Sequence, residues 1–226
     1  MQETIVISLG GSIVVPNLPD PDFINVFKSF ILKEVRKGKR FVIIVGGGKI
    51  CRNYQDTLSK TINATTTDLD WIGIYTTRLN AELIRMSFGE YASSEIVLDP
   101  SVLPSSSKSV IIGAGWKPGW STDYDAVMMA EQLGAKKVIN LSNIEYVYDK
   151  DPKKYNDAKI IIKSSWADFR SILPKEWSSG LNSPFDPMAA EKAESLGIEV
   201  AIMNGKNIEN LKNYLNNKTF QGTVIS

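Results

Sequence analysis

Six short β-branched runs, separated by segments of helical periodicity, predict an α/β fold. The expected architecture is a three-layer sandwich, with a mostly parallel central sheet covered by helices on both faces. Three observations carry this. The runs are near-continuously apolar, as in strands buried on both sides, where a half-solvated strand would alternate. The segments between them repeat their apolar residues at a spacing near 3.6. Several runs end in glycine-bearing turns, the economical way to pass from a buried strand into a helix.

TIVISL (4–9) is the first strand and begins almost at the amino end; MQETIVISLGGS lacks the basic region of a signal peptide. FINVFKSFILKEVRK (23–37) puts Phe23, Val26, Phe27, Phe30 and Ile31 on one helical face, with Gly38 as its stop. FVIIV (41–45) is the second strand, and the basic stretch after its glycines is compatible with a helix. DLDWIGIYTTRLNAELIRMSF (68–88) reads as a long helix, against the preferences of Gly73 and its β-branched residues. SSSKS (105–109) reads as a loop, followed by the strand SVIIG (109–113). DAVMMAEQLG (125–134) and DPMAAEKAESLG (186–197) are helices ending at glycine, the second with Asp186 as N-cap and Pro187 in its first turn. KKVINL (136–141), IEVAIM (198–203) and GTVIS (222–226) complete the strands. The polar, proline-bearing segment 143–185 is expected to form a lobe or hairpin over the sheet, and no linker divides 1–226 into separate domains.

Composition excludes much chemistry. A chain of 226 residues with 43% hydrophobic and 23% charged residues can bury one sizeable core. Its net charge of +1 gives no general attraction to nucleic acid or anionic membrane, and no apolar run approaches the roughly 20 residues of a bilayer span. Cys51 is the single cysteine, which rules out an internal disulfide and suits a reducing cytoplasm. There is no histidine, so histidine-assisted nucleophiles and histidine metal sites are ruled out, and no protein metal site is expected. The chemistry must rest on carboxylates, lysine or arginine, backbone amides and a metal borne by a substrate.

In an open parallel sheet, ligands sit beyond the carboxyl ends of the strands. Three glycine turns follow predicted strands: Gly10-Gly11-Ser12, Gly46-Gly47-Gly48-Lys49 and GAGWKPGWSTD (113–123). Glycine lets amides approach an anion closely, and a helix amino end adds about half a positive charge. Any one turn alone is better explained by the plainer role of joining strand to helix. Three in one sheet, with Lys49 and Arg52 beside one of them, point to phosphate. The common fingerprints do not fit. Gly48-Lys49 is followed by Ile50, which breaks the Walker spacing, and Cys51 stands where a dinucleotide motif needs its third glycine.

Taken in order, ISLGGSIVVP (7–16), VGGGKICRNY (45–54), DWIGIYTTRLNA (70–81), GAGWKPGWSTDYDAVMMAE (113–131), NLSNIEYVYDKDPKKYNDAK (140–159) and DPMAAEKA (186–193) resemble the amino-acid kinase superfamily, and within it the UMP kinases, especially the archaeal type. The spacing N-x4-Y-x2-D-P, here Asn143, Tyr148, Asp151 and Pro152, is the most specific part. The resemblance implies transfer of phosphate from ATP, with Mg2+ carried on the nucleotide, to UMP. It implies an acceptor part over roughly 1–135 and an ATP part over roughly 136–226. Gly10, Gly11, Ser12, Gly48 and Arg52 would meet ATP phosphates, and Ser142, Asn143, Tyr148 and Asp151 would hold adenosine. Gly47 would meet the UMP phosphate and Asp70 its ribose, with Trp116, Lys117, Pro118, Gly119, Trp120, Ser121 and Thr122 as the wall. Asp123, Lys49 and Ser12 would be the catalytic group, and a homo-oligomer, a hexamer by resemblance alone, would be the assembly.

Each position has a plainer alternative. Asp123 and Asp125 could serve only to cap a helix begun at Ser121 or Thr122, and Asp70 could charge the first turn of its own helix. Tyr148, Trp116 and Trp120 could be core aromatics, Asp151-Pro152 a turn, and Arg78 a solvated or subunit-interface residue. Three departures from the superfamily pattern stand out. Ser8 and Glu191 occupy positions where many members carry lysine, and Glu145-Tyr146 replaces an aspartate-glycine pair. Lys192 lies about 100° further round its helix than the second lysine position. The other readings are a same-fold kinase for carbamate, acetylglutamate or aspartate, and a nucleotide- or oxyanion-binding relative without turnover. Isopentenyl phosphate kinases use a histidine that this chain lacks.

Overall fold

A computed structural model describes residues 3–102, 106–174 and 183–226. The elements run β1 (Thr4–Leu9), α1 (Gly11–Val14), α2 (Pro21–Val35), β2 (Arg40–Val45), α3 (Gly48–Thr61), α4 (Thr66–Phe88), a 3-10 turn (Gly89–Tyr91), β3 (Val110–Gly113), α5 (Thr122–Leu133) and β4 (Lys137–Ser142). They continue with β5 (Val147–Tyr148), β6 (Ile160–Ile161), β7 (Lys163–Ser164), α6 (Trp166–Ile172), α7 (Pro187–Ser195), β8 (Glu199–Asn204), α8 (Ile208–Leu215) and β9 (Thr223–Ile225). One seven-stranded sheet has the order β3-β2-β1-β4-β8-β9-β7, parallel except where β9 runs against β8. The expected three-layer architecture is the observed one. The polar segment after β4 carries the antiparallel pair β5-β6, so the hairpin expectation holds; residues 175–182 of that segment lie outside the described residues. Ser105 of the expected loop also lies outside them.

Pleating sorts the strand residues between two cores. On one face Ile5, Ile7, Leu9, Phe41 and Ile43 pack with Phe23, Phe27 and Ile31 of α2 and Ile84 and Phe88 of α4. On the other Val6, Val42, Ile44, Ile111, Val138 and Val200 pack with Ala126, Val127 and Ala130 of α5 and with α6 and α7. One predicted core residue is misplaced: Val26 is 54% exposed, because the buried stripe of α2 centres on Phe23, Phe27, Phe30 and Ile31. The α2 helix also begins earlier than the periodicity suggests, with Asp20 accepting from the Phe23 amide and Pro21 in the first turn. Thr65 and Asp68 likewise start α4 with a reciprocal capping box. Gly73 does not break α4. It lets α3 approach, since a Cβ there would sit 3.3 Å from Gln55 Nε2 and 3.7 Å from Cys51 Sγ. Among the described residues no helix is long and apolar enough to cross a membrane.

Candidate active site

The turns after β1, β2 and β3 and the amino ends of α3 and α5 meet at one cleft beyond the carboxyl edge of the sheet. Its base is glycine backbone from the first two turns. A Cβ on Gly11 would lie 2.1 Å from the Gly48 amide nitrogen, and one on Gly48, at φ +71°, would lie 2.5 Å from the Gly11 carbonyl oxygen. The two turns therefore pack backbone on backbone, which only glycine permits. Asn80 of α4 fixes the second turn by donating to the carbonyls of Gly46 (2.9 Å) and Gly47 (3.0 Å). The plain and the functional readings of these glycines coincide: the tight turns leave a cleft lined by Gly10, Gly11, Gly46, Gly47 and Gly48.

Ser12 and Arg52 also line the cleft, and Arg52 is the sole basic side chain to do so among the described residues. Lys49 does not join them. It is exposed, and its amide is taken by the Val15 carbonyl at 3.2 Å, so α3 presents its second turn, through Arg52, to the cleft.

On the side of α4, Asp70 is buried and lines the cleft; its Oδ2 accepts from the Gly119 amide at 2.8 Å, while Oδ1 has no hydrogen-bond partner. Asp70 is thus more than a first-turn charge, because it reaches across to the loop after β3. That loop is pinned twice more. Thr77 Oγ1 accepts from the Gly115 amide at 2.9 Å, and Arg78 donates to the carbonyls of Gly115 (3.4 Å) and Trp116 (3.1 Å). Arg78 is therefore a strut for the loop, half-buried at its foot. Trp120, Ser121 and Thr122 line the cleft, whereas Trp116, Lys117, Pro118 and Gly119 form the outer part of the loop. The Lys117 ammonium stacks 3.8 Å from the Trp116 ring and 5.1 Å from that of Trp120, and the two indoles are 5.7 Å apart. Neither tryptophan is a core residue; both are half-buried.

The amino end of α5 carries the carboxylates. Ser121 is its N-cap, accepting from the Tyr124 amide at 3.1 Å, so Asp123 is free of capping duty. Instead Asp123 Oδ1 accepts from Ser8 Oγ (2.7 Å) and from Asn140 Nδ2 (2.8 Å). Burial pushes its carboxyl up from an ordinary 3.8 to about 6, with the Ser8 hydrogen bond opposing and the Asp186 charge adding to the rise. Asp125 is fully buried; its Oδ2 accepts from the Trp116 amide at 3.2 Å and Oδ1 has no partner. Desolvation pushes it up to about 8, opposed by the Trp116 amide and reinforced by the charges of Asp186, Asp123 and Asp99. Asp186 N-caps α7 through the amides of Met188 and Ala189, and burial raises it as well.

Ser142, at the end of β4, lines the cleft, but the other adenosine candidates do not. Asn143 is exposed, Tyr148 lies in the β5-β6 pair, and Asp151 Oδ1 accepts from the Lys153 amide at 2.9 Å, as a turn residue does. The second departed lysine position, and the lysine beside it, also resolve. Glu191 is exposed and 3.6 Å from Arg170, and Lys192 pairs with Glu131 of α5 at 2.8 Å, so the helical phase carries it away as expected. Reading the sequence missed Asn140, Thr77, Asn80, Cys51, Gln55, Gly73, Ile74, Ser183 and Pro184, of which all but Asn80 line the cleft. Asn140 had a signal, a polar residue inside an otherwise apolar strand. Among the described residues no three acidic or cysteine side chains are grouped to hold a metal ion.

The arrangement offers glycine amides, one guanidinium and two carboxylates, Asp70 and Asp123, in a cleft at the edge of a parallel sheet. The model of the Amino acid kinase family matches residues 3–204, and the chain belongs to that family. It is 34% identical to a uridylate kinase of Pyrococcus abyssi, covering 98% of both chains, and 32% identical to one of Methanobrevibacter smithii, covering 98% of this chain and 99% of the other. The crystal structure of uridylate kinase from Archaeoglobus fulgidus superimposes with a TM-score of 0.82 at 31% identity over 100% of both chains. A UMP kinase structure from Bacillus anthracis, 18% identical, shares the fold with a TM-score of 0.78 over 99% of this chain and 96% of that one.

Proposed function

We propose that the protein transfers the γ-phosphoryl group of ATP to UMP, giving UDP and ADP. A phosphate oxygen of UMP attacks the γ-phosphorus, the new P–O bond forms, and the bond to the β–γ bridging oxygen breaks with ADP as the leaving group. The observation that carries this reading is similarity to uridylate kinases along the whole chain, together with a cleft of fitting chemistry. Phosphoryl transfer asks a protein for positioning and charge neutralisation more than for covalent help. Glycine amides and Arg52 supply the neutralisation that the sequence suggested for Lys49. Mg2+ on the nucleotide would neutralise the β- and γ-oxygens.

In this reading Gly10, Gly11, Ser12, Gly48 and Arg52 meet the ATP phosphates, and Ser142, with the outlying Asn143, Tyr148 and Asp151, faces adenosine. The part after about residue 135 thus holds the adenosine side of ATP, and the part before it supplies the phosphate-binding turns and the acceptor side. Gly47, Asp70 and the loop from Trp116 to Thr122 receive UMP. Asp123 organises the transferring group and need not act as a base, because the UMP phosphate is already anionic. A homo-oligomer in the cytoplasm completes the proposal.

The deciding experiment is ADP release with ATP and a panel of UMP, carbamate, acetylglutamate and aspartate. UMP-dependent release supports the reading; release with another acceptor changes the substrate, and nucleotide binding without release makes the protein a non-catalytic relative. Asp70→Asn tests the acceptor side. The carboxylate can accept from both vicinal ribose hydroxyls, and loss of one charge-assisted hydrogen bond is worth about 1.5–3 kcal/mol. The KM for UMP should rise about tenfold to 150-fold, with that for ATP nearly constant. An unchanged UMP value in a folded variant would remove Asp70 from the site.

A further inference from the structure

We propose that Ser8 and Asn140 are a matched pair of positioning residues that act together on Asp123, orienting its carboxylate toward the cleft. The proposal rests on the organising role given to Asp123 above. Its basis is sheet geometry. β1 and β4 are adjacent parallel strands, and Ser8 is the register partner of Asn140. Both side chains project to the face that packs on α5, where the preceding partners on that face, Val6 and Val138, are apolar. At one level of the sheet, beside the cleft, hydrocarbon gives way to a hydroxyl and an amide. Ser8 is 2% and Asn140 6% exposed, and both line the cleft.

Burying such groups costs about 1–3 kcal/mol each unless they are hydrogen-bonded. Their shared partner is a single oxygen, Asp123 Oδ1, reached from sequence distances of 115 and 17 residues. Because Ser121 already caps α5, Asp123 is not needed as a cap, and its side chain is free to turn to the strands. Two donors on one oxygen fix the rotamer and favour the ionised form over the protonated one. Among the described residues, the groups facing Asp123 are the Ser8 hydroxyl from β1, the Asn140 amide from β4, the carboxylate and backbone amide of Asp186 ahead of α7, and Asp125 on its own helix. No cation is among them. The two side-chain donors, with the Asp186 amide beside them, therefore stand against burial and two like charges.

The test uses the full chain with Ser8→Ala and Asn140→Ala. Loss of either donor should raise the titration midpoint of the Asp123 carboxyl, read by carbon-detected NMR, by about one pH unit, or tenfold in proton affinity. The acidic limb of the kcat–pH profile should move with it. At pH 8 kcat should fall about tenfold to 100-fold, while KM for both nucleotides stays within about threefold. Ser8→Thr keeps the hydroxyl and should return the limb to its wild-type position. Asn140→Asp, isosteric but lacking the donor and adding a like charge, should shift the midpoint further; it decides the matter if the alanine variant does not fold. An unmoved midpoint and limb in folded variants, or a change in KM with kcat constant, would overturn the proposal. Wild-type turnover in Asp123→Asn would overturn the reading of Asp123 and the proposal with it. Slow Asp123→Asn with unmoved midpoints would overturn the proposal alone.

Discussion

Asp123 and Asp125 lie two residues apart in the first turn of α5, yet their surroundings set them different tasks. Asp123 receives side-chain donors in the cleft, and Asp125 receives one loop amide in a dry interior. Asp123→Asn keeps size and polarity, and capping by Ser121 is untouched, so the fold should survive. Misplacement of about 1 Å in a phosphoryl-transfer site costs on the order of 100-fold. Turnover should therefore fall at least about 100-fold with ATP and UMP affinities nearly unchanged, as measured by titration and steady-state assay on one preparation. Near-normal turnover would reduce Asp123 to a structural residue. For Asp125 the prediction is about pH. Its folded value is raised to about 8 from 3.8, so below about pH 4 both folded and unfolded chains hold the proton and stability is undiminished. As pH rises from there, the unfolded chain gives up a proton that the folded chain keeps, and stability falls until about pH 8, where the loss levels off. Asp125→Asn retains an acceptor for the Trp116 amide and removes this slope. Thermal melts should show it more stable than wild type at pH 8, by on the order of a few kcal/mol, with the difference gone near pH 4. Parallel curves for the two proteins would refute the assignment.

At the scale of elements, the glycine turns show what a sequence can and cannot reveal. Apolar runs and glycine endings were enough to find β1, β2 and β3 and the edge where a ligand belongs, because strand burial and turn chemistry are local. The contact between the first two turns was not legible: Gly11 and Gly48 are 37 residues apart, and neither sequence neighbourhood announces the other. The same limit explains Asn140 and Lys49. Asn140 was visible as a flaw in an apolar strand, but its partner is fixed only by sheet order. Lys49 and Arg52 were indistinguishable by composition, and helix phase separates them. The capping residues Asp20 and Thr65 were of the right type, yet the apolar periodicity alone did not mark them as boundaries. Gly11→Ala tests the packed turns. Its Cβ would collide with backbone that cannot turn aside, so denaturant melts should show a loss of more than about 4 kcal/mol, the range reserved for specific failures, or no folding at all. Gly38→Ala is the control. It too has a positive φ, +93°, but open space around it, and should lose only about 1–2 kcal/mol. Equal losses would mean that the turns are not packed as described.

At the scale of the whole molecule, α4 has two faces with different work. Asp70, Gly73, Ile74 and Thr77 line the cleft, while Trp71, Tyr75, Leu79, Leu83 and Met86 form an exposed stripe at helical spacing, with Leu79 65% and Met86 66% exposed. Tyr54 on α3 and Ile62 just past its end are also exposed. Single exposed apolar residues are ordinary, but a stripe along four turns is where the proposed homo-oligomer would bury surface. For a homo-oligomer the simplest occupant is the same stripe of a second copy across a two-fold axis. Each charge placed there then meets its own copy, so Leu79→Glu with Met86→Glu should oppose like charges at the interface. The expected result by analytical ultracentrifugation at micromolar concentration is an assembly for the wild type and a smaller species for the double variant, with similar thermal melts if the monomer core is intact. Because the acceptor side of the cleft is built on the same helix, loss of the partner should also raise KM for UMP more than KM for ATP. A wild-type monomer would remove the stripe from the account. Dissociation with both KM values unchanged would keep the interface and show that α4 holds Asp70 and Thr77 in place without help from a neighbour.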